Sequence, residues 1–293
     1  MKQVFIRLLL LCGYLPFSST AQIGVADPAT GNAPINFYGR VLDQDGEPLA
    51  GVKVTFDVRI AYPNAATGMR MGEEKSTPQS DANGNFTLTG MSGYSIKIES
   101  VEKIGYKLSD KFNHEYVYSW SGDIFHPDPN NPVIFKMWKQ IGSEHLITGG
   151  KFYAVNPDGR PYTLNLLEDT KSEGTNAPGD IIVRVHRPQQ INPRTKFDWS
   201  YSIDVVDGGI IHTNDDFMYR APEAGYKDKY EFTVSAASTN WLPEVEHQQF
   251  YVKTRNGRVF GCLEVRVIPD YNDHSVFDVH YAANPSGSRN LER

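Results

Sequence analysis

The chain has 293 residues, of which 40% are hydrophobic and 22% are charged, and its formal net charge is −6. This length allows two ordinary domains, and the composition is typical of a soluble globular protein. The acidic balance and the lack of a run of Lys and Arg argue against a nucleic-acid partner. The high aromatic content, with 15 Phe, 16 Tyr and 4 Trp, favours strands over helices.

Residues 1–21 have the pattern of a secretory signal peptide. Lys2 and Arg7 precede a short apolar run over residues 8–17, and small residues over positions 19–21 fit a cleavage site. We therefore expect an exported protein that is secreted, periplasmic or attached to the cell envelope. No later segment is apolar for long enough to form a transmembrane helix. Only Cys262 remains after cleavage, so no internal disulfide is expected.

The next segments predict a linker and then a half-buried sheet. Residues 22–34 are small, polar and proline-containing, which is typical of a linker. From residue 35 the pattern changes to the period of two that strands have, and it is strictest over residues 52–59. Further short strands are predicted at residues 85–90 and 94–100. Turn-forming Gly, Asn and Pro residues separate them, as in an all-β sandwich.

This stretch resembles the carboxypeptidase regulatory-like group of transthyretin-like domains. The match covers roughly residues 35–110, and these are the residues that carry it: Gly39, Val41, Gly46, Pro48, Gly51, Val54, Asp81, Gly84, Phe86, Gly105 and Tyr106. The resemblance implies a β-sandwich with a carbohydrate-binding-like fold that serves as an accessory module in surface proteins. A long insert over residues 61–74 departs from the family pattern. Residues 35–140 are therefore predicted to form the first domain together with a connecting segment.

Two acidic loops in this domain allow two interpretations, a turn or a cation site. Asp43, Asp45 and Glu47 surround a glycine where the chain must reverse, and residues 81–85 resemble a calcium loop. In the second loop the glycine comes too early, and Ser92 stands where a calcium loop has its bidentate acid. Steric demand for Asp, Asn and Gly explains both loops as turns, so no metal site is predicted.

A second β-rich domain is predicted over residues 145–281, and we recognise no family for it. Its clearest element is a hairpin with Asn256-Gly257 at the tip, and a two-residue turn there fixes the pairing of every residue that follows. This register places Phe250 opposite Leu263 on an apolar face and Tyr251 opposite Cys262 on a wetter face. Residues 282–293 are predicted to be a flexible tail.

No assembled catalytic group is predicted. The chain has no Gly-x-Ser-x-Gly nucleophile motif, and Cys262 lies in mid-strand, where it is more typical of packing than of chemistry. His274 and His280 would lie about 20 Å apart on an extended strand, which is too far for one metal ion. Six residues remain as candidates for an acidic hydrolase site: Asp198, Asp204, Asp215, Asp216, His247 and His274.

The sequence thus predicts a non-catalytic exported protein with two β-sandwich domains and a binding or scaffolding role. The family resemblance implies a polysaccharide or a surface protein as its partner. The candidate ligand-binding residues are the four tryptophans, which could stack on sugar rings or simply pack in cores: Trp120, Trp138, Trp199 and Trp241. No cofactor is predicted. The alternative is a secreted hydrolase with its site in the C-terminal domain. Convergence of three or more of the six candidate residues in one pocket would favour that alternative.

Overall fold

The structure, a computed structural model, describes residues 26–120, 123–188 and 195–293. The predicted signal peptide therefore lies outside the described residues. The described part of the chain is built almost entirely of strands, which confirms the all-β prediction. It divides into two compact units. Unit 1 ends at Phe135, and unit 2 contains Lys136–Arg293 together with the segment Gly105–Lys111, which the sequence had assigned to the first domain.

The strands of the first half form two sheets. Their bounds are β1 Ala33–Asp43, β2 Lys53–Asn64, β3 Gly68–Ser76, β4 Asn85–Gly93, β5 Ser95–Glu102, β6 Tyr106–Leu108, β7 Glu115–Val117 and β8 Val133–Lys139. One sheet has the order β3-β2-β5-β7 and the other the order β4-β1-β8-β6. The chain passes from unit 1 to unit 2 within β8, whose last residues pair with β6. The predicted linker ends earlier than expected, because β1 already begins at Ala33.

The core of unit 1 is centred on the ring of Phe37, which is fully buried. Phe56 from β2 lies 5.2 Å from it and Tyr116 from β7 lies 4.9 Å from it, so these contacts join the two sheets. Phe86 from β4 packs against the same ring at 6.1 Å. The inward positions of β2 are those that the period of two predicted, since Val54, Phe56 and their alternate neighbours are buried.

Both acidic loops of unit 1 are turns closed by their first aspartate. Asp43 Oδ1 accepts the backbone N–H groups of Asp45 and Glu47, both at 2.9 Å. Asp81 Oδ1 does the same for Asn83 and Asn85, at 2.8 and 2.9 Å. The insert at residues 61–74 contains the end of β2 and most of the edge strand β3, so it belongs to a β2–β3 hairpin.

Unit 2 is a second sandwich. Its remaining strands are β9 Ile147–Val155, β10 Tyr162–Asn165, β11 Thr170–Glu173, β12 Ile181–His186, β13 Trp199–Val205, β14 Gly209–Thr213, β15 Lys229–Val234, β16 Val245–Thr254, β17 Val259–Tyr271 and β18 His274–Asn284. One sheet has the order β11-β10-β12-β13-β15 and the other the order β14-β16-β17-β18-β9. A single apolar cluster contributed by both sheets lies between them.

The register predicted for the β16–β17 hairpin is confirmed. Phe250 pairs with Leu263, Tyr251 pairs with Cys262, and the pairing continues to Thr254 and Val259 beside the turn. The turn itself differs from the predicted two-residue type I′ turn: Arg255 also has a positive φ, 53°, beside the 57° and 78° of Asn256 and Gly257, and Arg255–Gly257 form a short 3-10 turn. The backbone N–H of Arg258 donates to the carbonyl of Arg255 at 3.3 Å and closes the turn.

The second face of this hairpin is dry, although the sequence predicted a wet one. Tyr251, Phe260 and Cys262 are buried in a separate apolar cluster, which Leu291 completes from the C-terminal segment. Residues 282–293, predicted to be a flexible tail, are folded: β18 continues to Asn284, and residues 285–293 (the C-terminal strap) cross this face. The alternation pattern could not show this cover, because the covering residues are distant in sequence.

Hydrogen bonds fix the strap at its end. The backbone N–H of Leu291 donates to the carbonyl of Tyr219 at 2.8 Å. The carboxylate of Glu292 accepts the indole N–H of Trp138 at 2.6 Å and the backbone N–H groups of Ile141 and Gly142 at 2.9 and 2.8 Å. Because Glu292 is buried, these donors compensate the desolvation of its charge.

A buried carboxylate ties the two sheets of unit 2 together. Asp180, just before β12, has no exposed surface. Its Oδ1 accepts from the hydroxyl of Thr254 and from Nε of Arg255, both at 2.8 Å. Its Oδ2 accepts from the backbone N–H of Leu166 at 2.9 Å. Thr254 ends β16 in one sheet and Leu166 follows β10 in the other, so this side chain helps to fix the position of the hairpin turn.

We expect Asp180→Ala to lower the free energy of unfolding by about 3 kcal/mol or more, because it leaves a buried N–H and a guanidinium without their acceptor. The matched control is Asp204→Ala, which removes the partly exposed ion pair with Arg184 and should cost about 0–1 kcal/mol. Equilibrium denaturation of both variants measures the difference. Equal losses of stability would show that the contacts of Asp180 contribute no more than a surface ion pair does.

We also expect Leu291→Ala to loosen the strap and expose the thiol beneath it. Leu291 is fully buried, so the truncation should cost about 2–5 kcal/mol. The control, Leu242→Ala, changes a leucine that is 44% exposed and should alter stability by no more than about 0.5 kcal/mol. The rate at which an aromatic disulfide reagent labels Cys262 should rise in the first variant only. Unchanged labelling would contradict the strap's role as a cover.

Candidate functional site

The four candidate tryptophans lie in different environments, and the structure does not gather them into one site. Trp199 is 1% exposed and packs in the core of unit 2, so it offers no ring face to a ligand. Trp138 is half-buried and its indole N–H is bonded to Glu292. Trp241 lies in a cleft of unit 2, and Trp120 lies on the surface of unit 1.

Trp120 is an exposed indole on a strained backbone. Its side chain is 52% exposed and stacks on Tyr94, with ring centroids 4.6 Å apart and planes 11° apart. Its φ is +71°, a conformation that bulky side chains rarely adopt. Gly31 permits this placement, because a Cβ atom there would come within 1.5 Å of the indole nitrogen. The fold thus holds a large aromatic surface open to solvent at a conformational cost.

The cleft around Trp241 combines aromatic rings with charged groups. Its volume is about 340 Å³, and these residues line it: Thr195, Lys196, Phe197, Trp241, Pro243, Glu244, Ile268 and Asp270. The rings of Phe197 and Trp241 lie 5.3 Å apart and meet edge to face. The indole N–H of Trp241 donates to the carbonyl of Phe197 at 2.8 Å, which fixes the orientation of the indole.

Ion pairs hold the two carboxylates of the cleft in place. Arg266 donates to Oε2 of Glu244 from Nε at 3.0 Å and from Nη2 at 2.6 Å. Arg187 lies 3.2 Å from Oδ1 of Asp270, and its Nε donates to the carbonyl of Pro269 at 2.7 Å. Arg187 is buried, so it anchors the end of β17. The cleft is therefore formed by groups that already have a defined position.

The six candidates for a hydrolase site are dispersed. Asp204 pairs with Arg184, Asp216 pairs with Lys136, and His247 pairs with Glu264 at 2.5 Å. The other three have different neighbours: the carboxylate of Asp198 accepts the backbone N–H of Ala236, the backbone N–H of Asp215 donates to the hydroxyl of Thr213, and the ring of His274 packs on Tyr271. In residues 26–120, 123–188 and 195–293, no three His, Cys, Asp or Glu side chains are placed to hold a metal ion.

Cys262 is the one thiol among the described residues, and it is buried. Burial raises the pKa of this thiol and so disfavours the thiolate that a nucleophile requires. Its position in mid-strand beneath the C-terminal strap agrees with the packing role that the sequence indicated.

Trp241 is the one residue of the cleft that the sequence predicted to bind a ligand. Phe197 and Ile268 were missed because they come from segments far apart in the chain. Glu244 follows a proline and precedes a strand, which is a pattern typical of a solvated loop. Its pairing with Arg266 across β16 and β17 depends on a bulge near Val245 that the pattern did not indicate.

Comparisons with known proteins give little further information. No family model and no curated protein matches the chain. Among solved structures, the chain is similar to the apo form of a HmuY analog (TFO) from Tannerella forsythia. The identity is 12%, the match covers 47% of this chain and 97% of that chain, and the TM-score is 0.29.

We expect the strain at Trp120 to be measurable. Glycine adopts a φ of +71° freely and alanine does not, so Trp120→Gly should be more stable than Trp120→Ala by about 1 kcal/mol. Thermal or chemical unfolding of the two variants gives this difference. The control is the same pair at Ile104, a fully exposed position without a positive φ, where alanine should be the more stable. A preference for alanine at both positions would contradict the strain.

Proposed function

We propose that this protein is an exported, non-catalytic binding protein that holds a glycan in the Trp241 cleft of unit 2. The observation that carries the proposal is the aromatic pair of Phe197 and Trp241 beside the fixed carboxylates Glu244 and Asp270. Sugars have apolar C–H faces, which pack on aromatic rings, and hydroxyl edges, which bond carboxylates. The cleft presents partners for both.

The preorganised geometry suits binding. Because hydrogen bonds and ion pairs already orient Trp241, Glu244 and Asp270, little conformational freedom is lost when a ligand enters. Carboxylate oxygens accept hydrogen bonds from hydroxyl groups, and the arginine partners of Glu244 and Asp270 hold these acceptors in place. This arrangement supports recognition of sugar hydroxyls.

The proposed setting is the cell envelope or the exterior. The signal-peptide pattern over residues 1–21 supports export, and the resemblance of residues 35–110 to an accessory module of surface proteins supports a scaffolding role for unit 1. Within the described stretches of the chain, no helix is both long and apolar enough to cross a membrane.

The test is calorimetric titration of the full chain with soluble oligomers of glucose, xylose and N-acetylglucosamine. We expect at least one to bind, and Trp241→Ala to weaken that binding about tenfold or more through loss of the ring face. Trp241→Phe should retain much of the affinity. Leu242→Ala is the control, because it changes the exposed neighbour of Trp241.

Three results would contradict the proposal. Failure of every oligomer to bind, or equal affinity of wild type and Trp241→Ala, would remove the cleft as a glycan site. Release of reducing sugar from a bound polysaccharide would instead show a hydrolase, and Glu244 and Asp270 would then be the carboxylates to replace.

A further inference from the structure

The β14-β16-β17-β18-β9 sheet carries an exposed aromatic group on its outer face, apart from the rings of the Trp241 cleft. Phe152 on β9 is 50% exposed and Tyr271 at the end of β17 is 44% exposed. Their ring centroids lie 5.5 Å apart and the rings meet edge to face. His274 packs on the other side of Tyr271, also at 5.5 Å. Large aromatic rings are usually buried in a core, whereas these two rings present a surface to solvent.

A continuous row of side chains joins this group to the glycan cleft. Phe152 pairs with Asp278 on β18, and Asp278 pairs with Arg266 on β17. Arg266 in turn bonds Glu244, which lines the cleft. We call these four residues the outer row. Their inward neighbours Tyr153, Phe277 and Val267 all belong to the core of unit 2, so Phe152, Asp278 and Arg266 face outward.

The dimensions of the row follow from strand spacing. Three adjacent strands separate Phe152 from Arg266 by roughly 10 Å between backbones. Phe152 therefore lies at one end of the row, charged groups lie in its middle, and Glu244 at the other end lines the cleft. This alternation of a ring face and hydrogen-bonding groups extends further than a single sugar ring, and the side chains of Arg266 and Asp278 are partly exposed.

From this arrangement we propose that the ligand is an extended polysaccharide bound along its chain, with one segment in the Trp241 cleft and another on Phe152 and Tyr271. The inference rests on the proposed function, because the outer row extends a glycan site only if the cleft at its end binds a glycan. Asp278 and Arg266 bond the hydroxyls of the segment between the two aromatic groups. A site for a free monosaccharide or a chain end would need only the cleft.

The experiment compares a disaccharide with a hexasaccharide of the same linkage, chosen from the oligomers that bind, by calorimetric titration of the full chain. The wild type should bind the hexasaccharide more tightly. Tyr271→Ala and Phe152→Ala should each weaken hexasaccharide binding about threefold to tenfold and leave disaccharide binding unchanged. Trp241→Ala should weaken both. Both outer residues are exposed, and unfolding curves check that the variants fold.

The matched control is Tyr62→Ala, which removes a similarly exposed tyrosine from β2 of unit 1 and should alter neither affinity. One outcome is that Trp241→Ala weakens binding while Tyr271→Ala and Phe152→Ala leave the hexasaccharide affinity unchanged. The cleft would then be the whole site, so the inference would be overturned and the proposed function would stand. Equal losses for both ligand lengths in Tyr271→Ala and Phe152→Ala also overturn it. If no oligomer binds, the proposed function fails and the inference fails with it.

Discussion

The buried carboxylate of Asp180 is the interaction on which unit 2 depends. It receives hydrogen bonds from Thr254, Arg255 and Leu166, so it joins the end of β16 to β10 across the sandwich. The hairpin turn that it holds sets the register of β16 and β17. A slip of one residue would move Ile268 and Asp270 from the cleft to the opposite face of the sheet. A structural contact at one end of the hairpin thus positions the candidate site at the other.

The outer face of the β14-β16-β17-β18-β9 sheet is covered at one end of its strands and exposed at the other. Near the hairpin turn the C-terminal strap covers Cys262 and its apolar neighbours, and the carboxylate of Glu292 fastens that cover to the backbone of Ile141 and Gly142. Towards the other end of the strands the face carries the outer row and the aromatic pair of Phe152 and Tyr271. The C-terminal strap therefore buries the apolar surface near the turn, whereas the aromatic surface beside the cleft stays exposed. This difference supports the proposal that a ligand covers the exposed surface.

Local features of the chain could be predicted from sequence, and contacts between distant segments could not. The register around Asn256-Gly257 follows from steric rules for one turn, and the alternation over residues 52–59 follows from the geometry of one strand. Whether a sheet face is exposed to water depends on which segments fold over it. The alternation of residues along a strand therefore could not predict the burial of Tyr251 under Leu291. For the same reason a count of tryptophans could not separate Trp199, which fills the core, from Trp241, which lines a cleft. Phe197 and Asp270 gain their roles only from the fold.

The central claim is that a cleft already formed by Phe197, Trp241, Glu244 and Asp270 binds a sugar without rebuilding itself. A crystal structure of the full chain with a bound oligosaccharide tests this most directly. The account predicts a sugar ring packed on the indole of Trp241, with hydroxyls bonded to Glu244 or Asp270 and with the Trp241–Phe197 hydrogen bond kept. An oligosaccharide bound elsewhere with the cleft empty, or a cleft whose aromatic pair separates to admit the sugar, would contradict it.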